Sequence, residues 1–336
     1  MKKHNLSPIV RLLSERLQAI DYDLLPISDY NKRYIRNLKP AMLYYLKIYS
    51  ACLSKGFNSI HTPLEKMTLI DYGGGSGFLS ILAKTVGIGQ VIYLDLNPKS
   101  AETIRILKEK TGTGPDIILQ GNSDKLATWC KENQIRPDLL IATDLIEHIY
   151  DLEVFFKDLY SINEDMQMIF TTASTPYNPY IKRRLHKLMD NSESGTAETP
   201  NYYTLRKAYI EKNYPDFSAD EIKKWATHTR GLIYPDIDRA IKSGKQPVLT
   251  EKHNTCDPAT GNWTERILPV KDYCSIISPY NYSVKVGKGF FNADRPSKIS
   301  SMIAKCINFL IRYSGKAGLL LAPFIFLIYI KQPVKS

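Results

Sequence analysis

Cysteine is scarce in this chain, and what there is of it is scattered. The five cysteines, Cys52, Cys130, Cys256, Cys274 and Cys306, form no Cys-x-x-Cys pair and have no histidine at zinc-finger spacing, which excludes a stapled secreted scaffold and points to a reducing cytoplasm. No secretory leader is expected either. After the opening Met-Lys-Lys-His, Asn5, Ser7, Arg11, Ser14, Glu15 and Arg16 break up any apolar run that could serve as one. Acids are rare at the other end. From Asn281 onward Asp294 stands alone against Lys285, Lys288, Arg295, Lys298, Lys305, Arg312, Lys316, Lys331 and Lys335, so most of the formal excess of +11 lies in the tail. No apolar run reaches the roughly 20 residues of a membrane span.

What is present suits an ordinary enzyme. With 336 residues, 43% of them apolar and 24% charged, the chain can bury a full core and is neither disordered nor polytopic. Residues 1–61 read as a helical cap, with apolar positions such as Leu12, Leu13 and Leu17, then Leu43, Leu46 and Leu53. Strand and helix signals then alternate. Strands are expected at 67–72, 91–95, 116–120, 138–144 and 166–171, and helices at 78–85, 101–110 and 151–162, the last with Leu152, Phe155, Phe156, Leu159 and Tyr160 on one face. Such alternation predicts an α/β, Rossmann-like, doubly wound and mostly parallel sheet, with ligands at the carboxyl ends of the strands. Residues 174–263 read as an insertion, a lid or recognition region with helical pieces at 181–189, 203–212 and 219–225. A helix at 269–277 and a strand at 282–286 complete the domain, which is taken as 62–291.

The chemistry begins at Asp71-Tyr72-Gly73-Gly74-Gly75-Ser76-Gly77-Phe78, a strand entering a glycine turn that opens a helix. Glycines at 73, 75 and 77 allow a tight loop with no side chain between backbone and ligand. A dinucleotide fingerprint is not met, because Phe78 stands where its third glycine belongs. The pattern instead resembles motif I of the class I S-adenosylmethionine (SAM) dependent methyltransferases. That resemblance implies SAM as cofactor, with Gly73, Gly75 and Gly77 beside its amino-acid part and ribose and Asp71 helping to hold its ammonium end. Asp95, ending the second strand, has the spacing of the acid that accepts hydrogen bonds from ribose hydroxyls, and its charge would repel a 2′-phosphate.

After the third strand, the resemblance places an adenine contact at Asn122, with Asp124 as the alternative. The fourth strand runs into Asp144-Leu145-Ile146-Glu147-His148, similar to the acidic-Leu-Glu-His segment of small-molecule methyltransferases, including the quinone-biosynthesis O-methyltransferases. The resemblance puts Asp144 on the cofactor and Glu147 and His148 near the transferable methyl, with His148 the candidate base. Glu147 and His148 could equally brace the loop. Related enzymes sometimes bind a divalent metal with such residues, but no metal ligand is assigned here. Tyr177, Tyr180, His186, Tyr202, Tyr203 and His228 are candidates for an acceptor wall.

Residues 292–336 combine basic residues with the uncharged run Ala317 to Ile330, interrupted by Pro323. This tail is expected to form apolar helices lying on a membrane surface, with burial in a core or dimer interface as the second reading and a true span as the third. The expected function is O-methylation of a small-molecule, saccharide or lipid-linked acceptor at the cytoplasmic membrane face. Nucleic-acid methylation is second, since no Asn/Asp-Pro-Pro-Tyr follows the fourth strand. An inactive SAM-binding partner protein is the third reading. Oligomeric state is not legible.

Overall fold

The computed structural model describes residues 5–196, 201–249 and 251–333. Five short apolar runs become the parallel strands β1 (Thr68–Tyr72), β2 (Gln90–Asp95), β3 (Ile117–Gln120), β4 (Leu139–Thr143) and β5 (Gln167–Thr172). The insertion holds a small hairpin, β6 (Thr255–Cys256) and β7 (Trp263–Glu265), and the chain returns to the main sheet with β8 (Tyr282–Lys288) and β9 (Ile325–Lys331). The order β3-β2-β1-β4-β5-β9-β8 reverses direction between β1 and β4, and at such a switch point the loops diverge to leave a crevice.

Side-chain alternation along the strands feeds two cores. Leu69, Val91, Tyr93, Leu139, Ile141 and Ile169 face one side, and Ile70, Ile92, Leu94, Leu140, Ala142, Met168 and Phe170 face the other. The first side is covered by α1 (Ser7–Gln18), α2 (Asp29–Leu38), α3 (Met42–Phe57), α4 (Phe78–Val86) and α5 (Pro98–Thr111). A Cβ on Gly56 would come within 2.6 Å of Leu139 Cδ2, so α3 lies directly on β4 and the N-terminal helices are a layer of the sandwich. The second side carries α6 (Ser123–Glu132), α7 (Leu152–Ile162) and α12 (Val270–Ile277). Helix starts follow the local chemistry: Asn97 caps α5 ahead of Pro98, and Asp151 accepts from Val154 N–H to open α7.

The insertion is helical. It contains α8 (Pro179–Ser194), α9 (Tyr202–Asn213), α10 (Ala219–His228) and α11 (Tyr234–Ser243); the last three share a small core around Ile210, Ala226 and Ile237, and α8 packs Ile181, Leu185 and Met189 with Ile267.

The tail departs from expectation. Lys298–Tyr313 forms α13, but the uncharged run beyond Pro323 is no surface helix: β9 is inserted antiparallel between β5 and β8. Ile325, Phe326, Leu327 and Tyr329 are buried. The physical reason is that Ile-Phe-Leu-Ile-Tyr-Ile, rich in β-branched and aromatic residues and preceded by a helix breaker, has the composition of a strand covered on both faces, which hydropathy alone does not distinguish from an interfacial helix. Among the described residues no helix is long and apolar enough to cross a membrane. Lys335 lies outside the described residues.

Phe326→Ala should therefore cost about 3–5 kcal/mol of unfolding free energy, measured by urea denaturation. A loss of less than about 1 kcal/mol would mean that this segment is not core.

Candidate active site

The loop after β1 is held by its neighbours. Gly73, Gly75 and Gly77 have φ of 68°, 54° and 75°, the left-handed region in which a side chain is strained. A Cβ on Gly73 would also lie 2.5 Å from Leu145 Cδ1. Gly73 and Gly74 N–H both donate to Leu94 O, at 2.8 and 3.2 Å. Tyr93 O–H donates to Gly75 O at 2.6 Å. The carboxylate of Asp95 completes the frame, accepting from Gly75 N–H at 2.9 Å through one oxygen and from Asn97 N–H at 2.8 Å through the other. Burial pushes the Asp95 carboxyl up, against those two donors.

Asp71 sits beneath the loop and lines neither of the cavities described below. Its Oδ2 accepts from Ser80 N–H at 3.0 Å and Ser80 O–H at 2.6 Å, tying β1 to α4. Burial raises its carboxyl to about 7, opposed by the Ser80 hydrogen bonds.

Two cavities open beside the loop, and Gly73 belongs to the wall of both. The first, about 370 Å³, is bounded by Asp95, Leu96, Asn122, Leu145, His148, Ile149, Val154 and Phe155, with Thr260, Gly261 and Asn262 contributed by the turn of the β6–β7 hairpin. Leu96, 73% exposed, offers a flat apolar surface next to Asp95. Asn122 caps α6, its Oδ1 accepting from Lys125 N–H at 3.1 Å, so the amide N–H₂ is the group left for a ligand in the cavity. Asp124 does not line it.

The second cavity, about 480 Å³, is walled by Tyr34, Tyr44, Tyr45 and Tyr49 from α2 and α3, by Asp144, Thr143 and Thr171 at the strand ends, and by Tyr180, Arg184, Arg295 and Phe324. Burial pushes the Tyr34, Tyr44 and Tyr45 hydroxyls up, so they stay protonated donors. Asp144 has φ 48°. It is open to the cavity while protein surrounds it, and this desolvation, followed by the charge of Glu265, lifts its carboxyl to about 6. Of the acceptor-wall candidates Tyr180 is in place, whereas Tyr177, His186, Tyr202, Tyr203 and His228 lie outside both cavities.

His148 Nδ1 is 2.8 Å from Trp263 O. A carbonyl only accepts, so Nδ1 carries the proton and Nε2 keeps a lone pair. Glu147 is buried, with Oε2 unpartnered among the described residues, and burial followed by the charges of Asp144 and Glu265 pushes its carboxyl well up. Glu265, from β7, was not singled out in the sequence. Ligand atoms of Glu147, His148 and Glu265 lie within 4.8 Å of one another, a set able to hold a divalent cation.

The first cavity suits an adenosyl sulfonium: a paired carboxylate for vicinal hydroxyls, an apolar slot for a purine and a glycine loop open to close approach. The sequence model of a family described as methyltransferase domain matches residues 45–232, over half of the chain. The chain belongs to that family. Curated relatives include the ribosomal protein L11 methyltransferases of Photobacterium profundum, 32% identical over 95 residues, 27% of this chain and 29% of the relative. That of Vibrio campbellii is 29% identical over 128 residues, 37% and 40% of the two chains. The matches thus span well under half the length of these relatives. Among solved structures, PKMT2 from Rickettsia typhi in complex with AdoHcy aligns over 85% of this chain and 53% of its own, at 15% identity and a TM-score of 0.43. An S-adenosylmethionine dependent methyltransferase from Mesorhizobium loti aligns over 80% and 94%, at 12% identity and a TM-score of 0.39. The matched span takes in Tyr45 and Tyr49 of α3, whereas Tyr44 lies just before it.

Proposed function

We propose that this chain is a SAM-dependent methyltransferase that methylates a hydroxyl of a small-molecule, saccharide or lipid-linked acceptor at an anionic membrane surface. The observation that carries the reading is the pair of adjoining cavities: one faces the Asp95 carboxylate, the other is lined by tyrosines, and Gly73 stands between them. SAM supplies an electrophilic methyl on its sulfonium. The chain's own part is positioning and proton removal. Asp95 would grip the ribose hydroxyls, the glycine loop would follow the amino-acid part, Asn122 would meet the adenine edge, and Asp71 would brace the loop from below. The tyrosine hydroxyls would orient acceptor oxygens, with Arg184 and Arg295 at the rim.

His148 would take the acceptor proton on Nε2, its tautomer fixed by the Trp263 carbonyl. A metal-assisted variant is favoured by the orphaned Glu147 oxygen beside His148 and Glu265. The named activity of the relatives, on ribosomal protein L11, offers a protein acceptor as the competing substrate class.

The membrane part of the reading rests on α13. Its helix leaves Ile299, Met302, Ile303, Phe309, Leu310 and Tyr313 exposed, interleaved with Lys298, Lys305 and Arg312. Phe291 and Arg295 precede it and Pro323 and Phe324 follow it, and all four line the tyrosine cavity. An apolar face ringed by cations suits insertion at the headgroup level of anionic lipid, and it lies beside the mouth through which such an acceptor would enter.

His148→Ala should lower kcat by about 10²–10⁴ while SAM affinity changes little, and an unchanged kcat removes His148 from the chemistry. Should chelation abolish turnover and Mg²⁺ restore it, His148 acts as a ligand and not as the base. For the surface, the protein should sediment with phosphatidylglycerol vesicles but not with phosphatidylcholine vesicles, and Leu310→Glu should release it. Failure to bind anionic vesicles, or a stable dimer through this face, contradicts the membrane reading.

A further inference from the structure

We propose that His186, Glu251 and His253 form a binding site for a divalent cation of the zinc class, which fastens the segment before β6 onto α8. The site lies apart from both cavities and does not depend on the proposed methyl transfer.

His186 comes from α8, and Glu251 and His253 from the connection between α11 and β6. One ligand atom from each lies within 4.8 Å of the others. His186 Nε2 is shielded from solvent and has no hydrogen-bond partner among the described residues. It faces Glu251 Oε1 at 3.6 Å, too long for a hydrogen bond. Two donor atoms on one tetrahedral zinc, each about 2.0–2.1 Å from the metal, stand roughly 3.4 Å apart. The gap has the span of a ligand edge. Lys182 Nζ occupies the other Glu251 oxygen at 2.6 Å, leaving Oε1 for the site.

His253 is prepared in the way metal-binding histidines are. The carboxylate of Asp190, one helical turn after His186, takes His253 Nδ1 at 2.9 Å, which fixes the tautomer and leaves Nε2 as the basic nitrogen. Arg230 holds Asp190 from outside at 3.0 Å. The two imidazole rings stack with centroids 3.9 Å apart and planes at 15°, so His186 turns about its Cβ–Cγ bond for its in-plane lone pair to meet an ion shared with His253.

The consequence reaches the acceptor side. The first turns of α8 carry Tyr180, Ile181 and Arg184 into the tyrosine cavity, and a cation on His186 would brace that wall through the same helix.

The test uses the full chain, stripped of metal and titrated with zinc chloride by calorimetry, with cobalt(II) as a spectroscopic probe. Wild type and His148→Ala should both retain zinc binding at the His186 site. His186→Ala and His253→Ala should each bind at least about 100-fold more weakly, and Glu251→Gln, which keeps the side-chain volume, should also weaken it. Cobalt(II) should give the intense visible bands of a tetrahedral ion in wild type and lose them in those three variants. Metal-free melting curves matching wild type establish that the variants fold. Zinc binding unaffected by the His186 and His253 changes, binding lost only in His148→Ala, or a pale octahedral cobalt spectrum overturns the proposal.

Discussion

A single carboxylate, Asp95, organises the centre of this molecule. Its two oxygens tie the second strand to the glycine loop at Gly75 and to its own turn at Asn97, and the same side chain forms a wall of the smaller cavity. The loop's glycines enter the left-handed region without strain, and the frame selects that one conformation, with Leu94 O receiving two further N–H groups and Tyr93 O–H reaching Gly75 O. Removing the frame would release the loop, and with it the boundary between the two cavities.

The arrangement also explains why the buried acids differ in use. Asp71 satisfies one oxygen twice on Ser80 and works as a brace. Asp144 and Glu147 are desolvated, and the charge of Glu265 raises the proton affinity of both, that of Asp144 adding to the effect on Glu147. Such a cluster is stable only with protons or a cation shared within it, which is why both base and metal roles converge on His148.

Much of the fold was legible because its signals are local. The β1 glycine turn, Asp95 at a strand end and the single-faced α7 all declare themselves within a few residues, and each stands where the spacing places it. The acceptor side was less legible. Tyr34, Tyr44, Tyr45 and Tyr49 are spread through helices whose apolar pattern describes only packing, and only the crossing of α2 and α3 over the strand ends brings them to Asp144. Glu265 and Trp263 reach His148 from more than 110 residues away, beyond any spacing rule. The tail was misread at Ile325–Lys331 because an uncharged run bears no mark of whether lipid or a sheet covers it, and the distinction rests on partner strands β5 and β8, distant in sequence.

The central claim is that the crevice beside Asp95 takes an adenosyl sulfonium. Calorimetric titration of the purified chain with SAM tests it most directly: one saturable site is expected, weakened about 30-fold or more by Asp95→Ala, the loss of charge-assisted hydrogen bonds to a ribose. Absence of saturable binding, or an Asp95→Ala protein that binds as wild type does, would contradict the account.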